Sequence, residues 1–130
     1  MDLGKLMSDD GILTLCDTIR QTSYDIHAYL GHGHLEKVYE NALAHRLIKL
    51  GIKVIQQHPL KVFDEDGKLI GSFLADLFIE DQLVAELKAC RNIVDDHISQ
   101  FLGYLKAARI RHGLLINFGA PRFQIRKLVI

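Results

Sequence analysis

Apolar residues recur at three- and four-residue intervals in the first part of the chain and alternate with polar ones through its middle, so helices come first and strands follow. Behind a helix start at Ser8-Asp9-Asp10, the residues Ile12, Leu15, Ile19, Ile26 and Leu30 keep helical spacing as far as Gly31. Gly31 and Gly33 interrupt the pattern. A second helix then carries Leu35, Val38, Tyr39, Ala42, Leu43, Leu47 and Leu50 as its buried stripe and stops at Gly51. Strand-like runs follow at Ile52 to Gln57 and Leu60 to Phe63, with Pro59 expected to part them. A turn at Asp64-Glu65-Asp66-Gly67 leads into a long strand from Leu69 to Glu80, and another strand runs from Leu83 to Ala89. A third helix begins near Asp95 or Asp96 and reaches about Arg111; strands from Gly113 to Phe118 and from Phe123 to Ile130 finish the chain around Gly119-Ala-Pro121. The order predicts an α/β protein, a mixed sheet with helices covering its faces. The Lys88 strand, the third helix and the Gly113 strand form a crossover between parallel neighbours.

Against this apolar background, the segment Ala75-Asp-Leu-Phe-Ile-Glu-Asp-Gln-Leu-Val-Ala-Glu-Leu-Lys-Ala89 places charge inside two strands. Alternate side chains of a strand point to opposite faces. Val84, Glu86 and Lys88 therefore share one face, and Asp76 is expected on the face of Leu74 and Phe78. A three-residue hairpin loop at Glu80-Asp81-Gln82 pairs Ile79 with Leu83 and sets Asp76 opposite Glu86, whereas a two-residue loop separates them. Like charges about 5 Å apart across a ladder repel, unless a proton or a cation lies between them. Carboxylate oxygens suit hard ions such as Mg²⁺ or Mn²⁺. Such an ion acidifies bound water and stabilises phosphoryl charge, and Lys88 is placed to orient or deprotonate that water. The alternative is an edge strand whose charges face solvent, with Glu86 and Lys88 as a surface pair of little energetic value.

Length and charge narrow the options. A chain of 130 residues is expected to be one domain without a separate substrate-recognition unit. Its 16 basic and 16 acidic residues cancel, so it lacks the field of a typical nucleic-acid binder, although a local basic face can be drawn from Lys61, Arg91, Lys106, Arg109, Arg111, Arg122, Arg126 and Lys127. Cys16 and Cys90 fit neither a metal spacing nor a disulfide framework, and no signal peptide or membrane-spanning run is visible. These features lead to the expectation of a cytoplasmic protein without membrane association. His32 and His34 would need two further ligands, which the local sequence does not supply, to hold zinc.

Other polar positions accompany the hairpin. Glu36 begins the second helix beside its buried stripe, where it can reach a metal or simply answer the helix dipole. His97, Gln100 and Tyr104 share a face of the third helix; Gln100 and Tyr104 can hydrogen-bond phosphate or form a half-buried polar seam.

The arrangement Asp76-x9-Glu86-x-Lys88, with Glu36 before it and Gln100-x-x-x-Tyr104 after it, resembles the PD-(D/E)xK phosphodiesterase superfamily, the last motif its RecB-type branch. Gly33-x-x-Glu36-x-x-Tyr39 with Ala75-Asp76-Leu77, Glu86-Leu87-Lys88 and Leu115-Ile116-Asn117-Phe118-Gly119 is similar to the GxxExxY protein family, from about Thr22 to Ile130. The resemblance implies a restriction-endonuclease-like core and a nuclease acting on DNA or RNA with Mg²⁺ or Mn²⁺. It further implies that Asp76 and Glu86, with the backbone carbonyl of Leu87, bind the metal; that Glu36 completes or supports its shell; that Lys88 activates water; and that Gln100 and Tyr104 steady the site or the scissile phosphate. The superfamily's proline before the first aspartate is Ala75 here. A non-catalytic interaction module on the same fold, which pairs with itself, for example as a homodimer, or with a partner, and a hydrolase of small nucleotides are the competing expectations.

Overall fold

In the computed structural model, which describes residues 7–130, eight elements follow one another: α1 (Asp9–Leu30), α2 (Glu36–Lys49), β1 (Val54–Phe63), β2 (Leu69–Ile79), β3 (Leu83–Lys88), α3 (Asp95–Ala108), β4 (His112–Asn117) and β5 (Gln124–Val129). The strands form one five-stranded sheet in the order β1-β2-β3-β4-β5. β3 and β4 are parallel and joined through α3, while the other neighbours are antiparallel. This is the mixed α/β sheet that the alternation of periods predicts. No helix among the described residues is long and apolar enough to cross a membrane.

Ser8 starts α1 by accepting the Gly11 amide on Oγ at 3.0 Å, with Asp9 and Asp10 in the first turn where the helix dipole favours them. Ile12, Leu15, Ile19 and Ile26 then pack with Leu43 and Leu47 of α2 on one face of the sheet, over Leu77, Ile79, Leu83, Ala85, Leu87, Leu114 and Ile116. On the other face Phe101 and Leu105 of α3 meet Phe78, Val84 and Leu115. Gly113 admits this close approach, because a Cβ there would stand 2.8 Å from both Leu105 and Phe101.

The buried stripe of α2 is narrower than its sequence suggests. Leu35 is 79% and Leu50 61% exposed, and Val38 is also exposed. Leu35 precedes the first helical residue, and Leu50 follows the last, so neither shares the face of Tyr39, Leu43 and Leu47. α3 is shorter than expected, because Arg109 adopts the left-handed conformation at φ 57° and stops it.

β1 is a larger departure. Pro59 does not break it: the residue pairs with Leu74 inside a continuous ladder, as an edge strand allows. The register shifts only near the far end, between Val62 and Phe63, while two residues before the proline Gln57 takes a φ of 52°, rare for a side chain of this kind and costing about 1 kcal/mol. There the two strands exchange faces. Val54, Leu77 and Ile79 pack beneath α1 and α2, whereas Leu60, Phe73 and Ala75 pack beneath α3, although Ala75 and Leu77 have the same parity. Asp76 sits at the exchange. It therefore shares a face with Phe78 only up to this point, and Leu74, 57% exposed, lies on the opposite side from the one expected.

The far end of β3 is clamped by β4. Asn117, fully buried, accepts the Cys90 and Gly119 amides on Oδ1 and donates through Nδ2 to the Cys90 carbonyl and to Gln124. The Phe118 amide donates to the Lys88 carbonyl at 2.8 Å. Gly119 closes the clamp, since a Cβ there would lie 2.3 Å from the backbone of Ala89 and Cys90. Gly119→Ala should therefore destabilise the fold by about 2 kcal/mol or more, read as a lowered midpoint in urea denaturation. An unchanged midpoint would show that the Ala89–Cys90 backbone is free to move.

Candidate active site

The β2–β3 ladder contains three pairs, Ile79↔Leu83, Phe78↔Val84 and Leu77↔Ala85, and ends there. Glu80 and Asp81, at φ 52° and 57°, turn the three-residue connection and set this register. It is the register that faces Asp76 with Glu86. Beyond Leu77 and Ala85 the strands part, β2 staying with β1 and β3 with β4. Backbone amides at such a fork must find other acceptors. The Asp76 amide donates to Glu86 Oε1 at 3.2 Å, and the Leu87 amide donates to Asp76 Oδ2 at 2.8 Å. Each carboxylate is thus held by the opposite strand's backbone.

Burial pushes the Glu86 carboxyl up to about 7, and the Asp76 charge adds to the rise; the Asp76 amide and Lys88 only partly oppose it. Lys88 is half-buried on the same side of β3 as Glu86, and among the described residues it forms no ion pair. Its ammonium is left available to the site.

Glu36 reaches the same cluster from α2. Gly33, at φ 108°, turns the chain into the helix, and Tyr39 anchors the turn by donating to the Gly31 carbonyl at 2.6 Å and accepting the His34 amide. Tyr39 is itself buried and stacked on Phe118 at 4.7 Å, which ties the start of α2 to the end of β4. Although its residue is exposed overall, the Glu36 carboxyl is raised above the ordinary carboxylate range, first by partial burial and then by Asp76; Lys88 and the Ala89 amide pull it back. Four of the six residues singled out in the sequence, Glu36, Asp76, Glu86 and Lys88, therefore feel one another's charge. Among the described residues, neither Gln100 nor Tyr104 forms a hydrogen bond to these four. Gln100 is exposed, and Tyr104 stacks on Phe73 with ring centroids 4.4 Å apart.

Two further residues belong to the site. Glu40, 4% exposed, is saturated by Lys37, Gln56 and Gln57. Gln57 passes this anchor on to the fork, donating to Glu40 Oε1 at 2.8 Å and to Asp76 Oδ1 at 3.2 Å. Glu40 lies one helical turn beyond Glu36 on α2, whereas no feature of residue type marks Gln57.

The donor set suits a hard cation in its chemistry. Among the described residues no three His, Cys, Asp or Glu groups form a ready cage. What the fork offers is a pair of carboxylates, and Glu86 Oε2 accepts no hydrogen bond among the described residues. A Mg²⁺-like ion is commonly held by one or two carboxylates while keeping several waters. Positive charge here would also relieve the repulsion that raises Glu86.

A family model described as the PD-(D/E)XK nuclease superfamily matches residues 14–128. Among solved structures, the crystal structure of SSO0001 matches with a TM-score of 0.56 at 19% identity, covering 72% of this chain and 50% of that one. This chain thus spans about half the length of that relative, and the likeness shows the fold: a restriction-endonuclease-like core, a mixed sheet flanked by helices. No curated protein matches the chain.

The raised Glu86 carboxyl has a thermodynamic consequence. It holds its proton more tightly in the folded chain, at about 7, than at its ordinary 4.5, so the folded state is penalised only where the group ionises. Below about pH 4 it contributes nothing; as pH rises from 4.5 through 7 stability is lost, on the order of 3 kcal/mol once both states are ionised. Glu86→Gln in metal-free protein should therefore raise the melting temperature at pH 8 and change it little at pH 4. Equal effects at the two pH values would refute the assignment.

Proposed function

Because the chain belongs to the PD-(D/E)XK nuclease superfamily, we propose that it is a metal-dependent nuclease, of the GxxExxY kind within the RecB-like branch, that hydrolyses phosphodiester bonds of DNA or RNA in the fork between β2 and β3. The observation that carries this reading is the pair of carboxylates there. Asp76 and Glu86 are each fixed by the opposite backbone, keep free lone pairs, and share their surroundings with Lys88, which forms no ion pair among the described residues.

Asp76 and Glu86 would hold a Mg²⁺ or Mn²⁺ ion, with the Leu87 carbonyl supplying a third oxygen and Glu36 supporting the shell from the start of α2. When bound, that ion supplies Lewis acidity toward the phosphate and acidifies the attacking water. Lys88, as an ammonium, would orient the attacking water by hydrogen bonding and offset negative charge gathering on the phosphate, the water's proton leaving to solvent. Gln100 and Tyr104 belong to the substrate side: an exposed amide and a hydroxyl on a ring already fixed against Phe73 can steady a phosphate that enters over α3. Asp76, buried in hydrogen bonds at both oxygens, is the rigid member; Glu86, bonded at one, is the adaptable one.

A second reading has its own support. Phe63, Leu69 and Ile70 at the outer end of the β1–β2 pair, and Leu74 in its middle, are all more than half exposed, a surface that a non-catalytic module would use to pair with a second copy. Hydrolysis of small nucleotides is the third alternative.

Purified protein incubated with single- and double-stranded DNA and RNA and with a nucleotide panel, under Mg²⁺ and under Mn²⁺, separates these readings. Cleavage of polymer is expected, with Glu86→Ala and Lys88→Ala each reducing the rate by about 100-fold or more. Cleavage that survives both substitutions would sink the mechanism, and turnover of nucleotides alone would move the substrate to the third reading.

A further inference from the structure

The nuclease reading leaves unexplained why a strand residue adopts a left-handed conformation beside the site. Gln57 is half-buried at φ 52°, between the Gln56–Leu77 and His58–Ala75 pairs of the β1–β2 ladder. A side-chain amide has two N–H donors, and both of its Nε2 hydrogens are spent on carboxylates, Glu40 Oε1 at 2.8 Å and Asp76 Oδ1 at 3.2 Å. Since ionised carboxylates only accept, the nitrogen must be the end that faces them. Glu40 is in turn immobilised by Lys37 on both oxygens and by Gln56 on one. A continuous chain of bonds therefore runs from the surface of α2 through Glu40 and Gln57 to Asp76, and on to the Leu87 amide.

We propose that Gln57 is a positioning residue for the metal-binding carboxylate: it fixes the rotation of Asp76 from the α2 side while the Leu87 amide fixes it from β3. The inference rests on the reading of Asp76 as a metal-binding residue. Gln57 touches neither the ion nor the phosphate; it acts through Asp76. The backbone supports the assignment. The strained φ of 52° falls on the one residue whose amide makes hydrogen bonds to both Glu40 and Asp76. Outer partners of this kind orient ligating groups, and their removal typically weakens metal binding tenfold or more.

Two variants separate positioning from folding. Gln57→Leu keeps the bulk and removes both donors; Gln57→Gly removes them too but relieves the left-handed backbone, so its melting temperature should hold or rise. Calorimetric titration of the full chain with Mn²⁺ alone should show affinity falling by about tenfold in both variants. The metal midpoint for cleavage should shift by the same factor, with KM for the nucleic acid unchanged. Unaltered metal affinity in folded Gln57→Leu and Gln57→Gly, with wild type cleaving normally, overturns the positioning role and leaves the nuclease reading intact. Wild type that binds Mn²⁺ but cleaves no polymer, with the variants still weakened in calorimetry, overturns the nuclease reading and supports the positioning role. Wild type that binds no Mn²⁺ overturns both.

Discussion

Everything distinctive in this structure depends on what happens to the backbone where β2 leaves β3. A ladder that stops inside a sheet strands its next amides, and buried amides need acceptors. The acceptors here are the side chains of Asp76 and Glu86, each reaching across to the other strand. The fork and the carboxylate pair therefore require each other. Without the carboxylates the parting strands leave donors unpaired; without the fork the two charges have no reason to meet. The electrostatic cost falls on Glu86, which burial and Asp76 drive toward the protonated form.

Around the fork, distant parts of the chain converge to hold its two prongs. Tyr39 stacks on Phe118 and bonds the turn before α2, so the helix start that carries Glu36 is tied to the end of β4. Asn117 and Gly119 hold the segment just beyond Lys88. The Gly33-x-x-Glu36-x-x-Tyr39 pattern and the Asn117-Phe118-Gly119 run thus have a shared physical sense: a turn, a charged reach, a ring, and the surface against which that ring lies.

How much of this was legible in the sequence follows from the range of each interaction. Helices and strands came from periodicity, which is local, and the hairpin register came from a loop of three residues with Ile79 and Leu83 at its ends. Asp76, Glu86 and Lys88 stood out because charge is unusual in such apolar strands. The misplaced break shows the limit. Proline is a visible breaker, whereas Gln57 carries no mark of its backbone state; its conformation answers to Glu40 and Asp76, which reach it only through the fold. The exposed Leu35 and Leu50 illustrate the same limit at helix ends, where a shift of one residue moves a side chain off the buried face. The placement of Gln100 and Tyr104 on α3, one exposed and one stacked on Phe73, also depends on how the outer arm bends under that helix.

The face exchange at Gln57 and Asp76 has a consequence for how the molecule breathes. One half of the β1–β2 arm belongs to the apolar cluster beneath α1 and α2, the other half to the cluster beneath α3. The arm is thus a rivet through both layers, and the carboxylate pair sits at its shank. Asp76 and its bonds to Glu86 and Leu87 lie between two packed clusters and depend on both. Subglobal openings that spare the site are correspondingly few, and amide exchange near the fork is expected to track the cooperative unfolding of the whole sheet rather than local fraying.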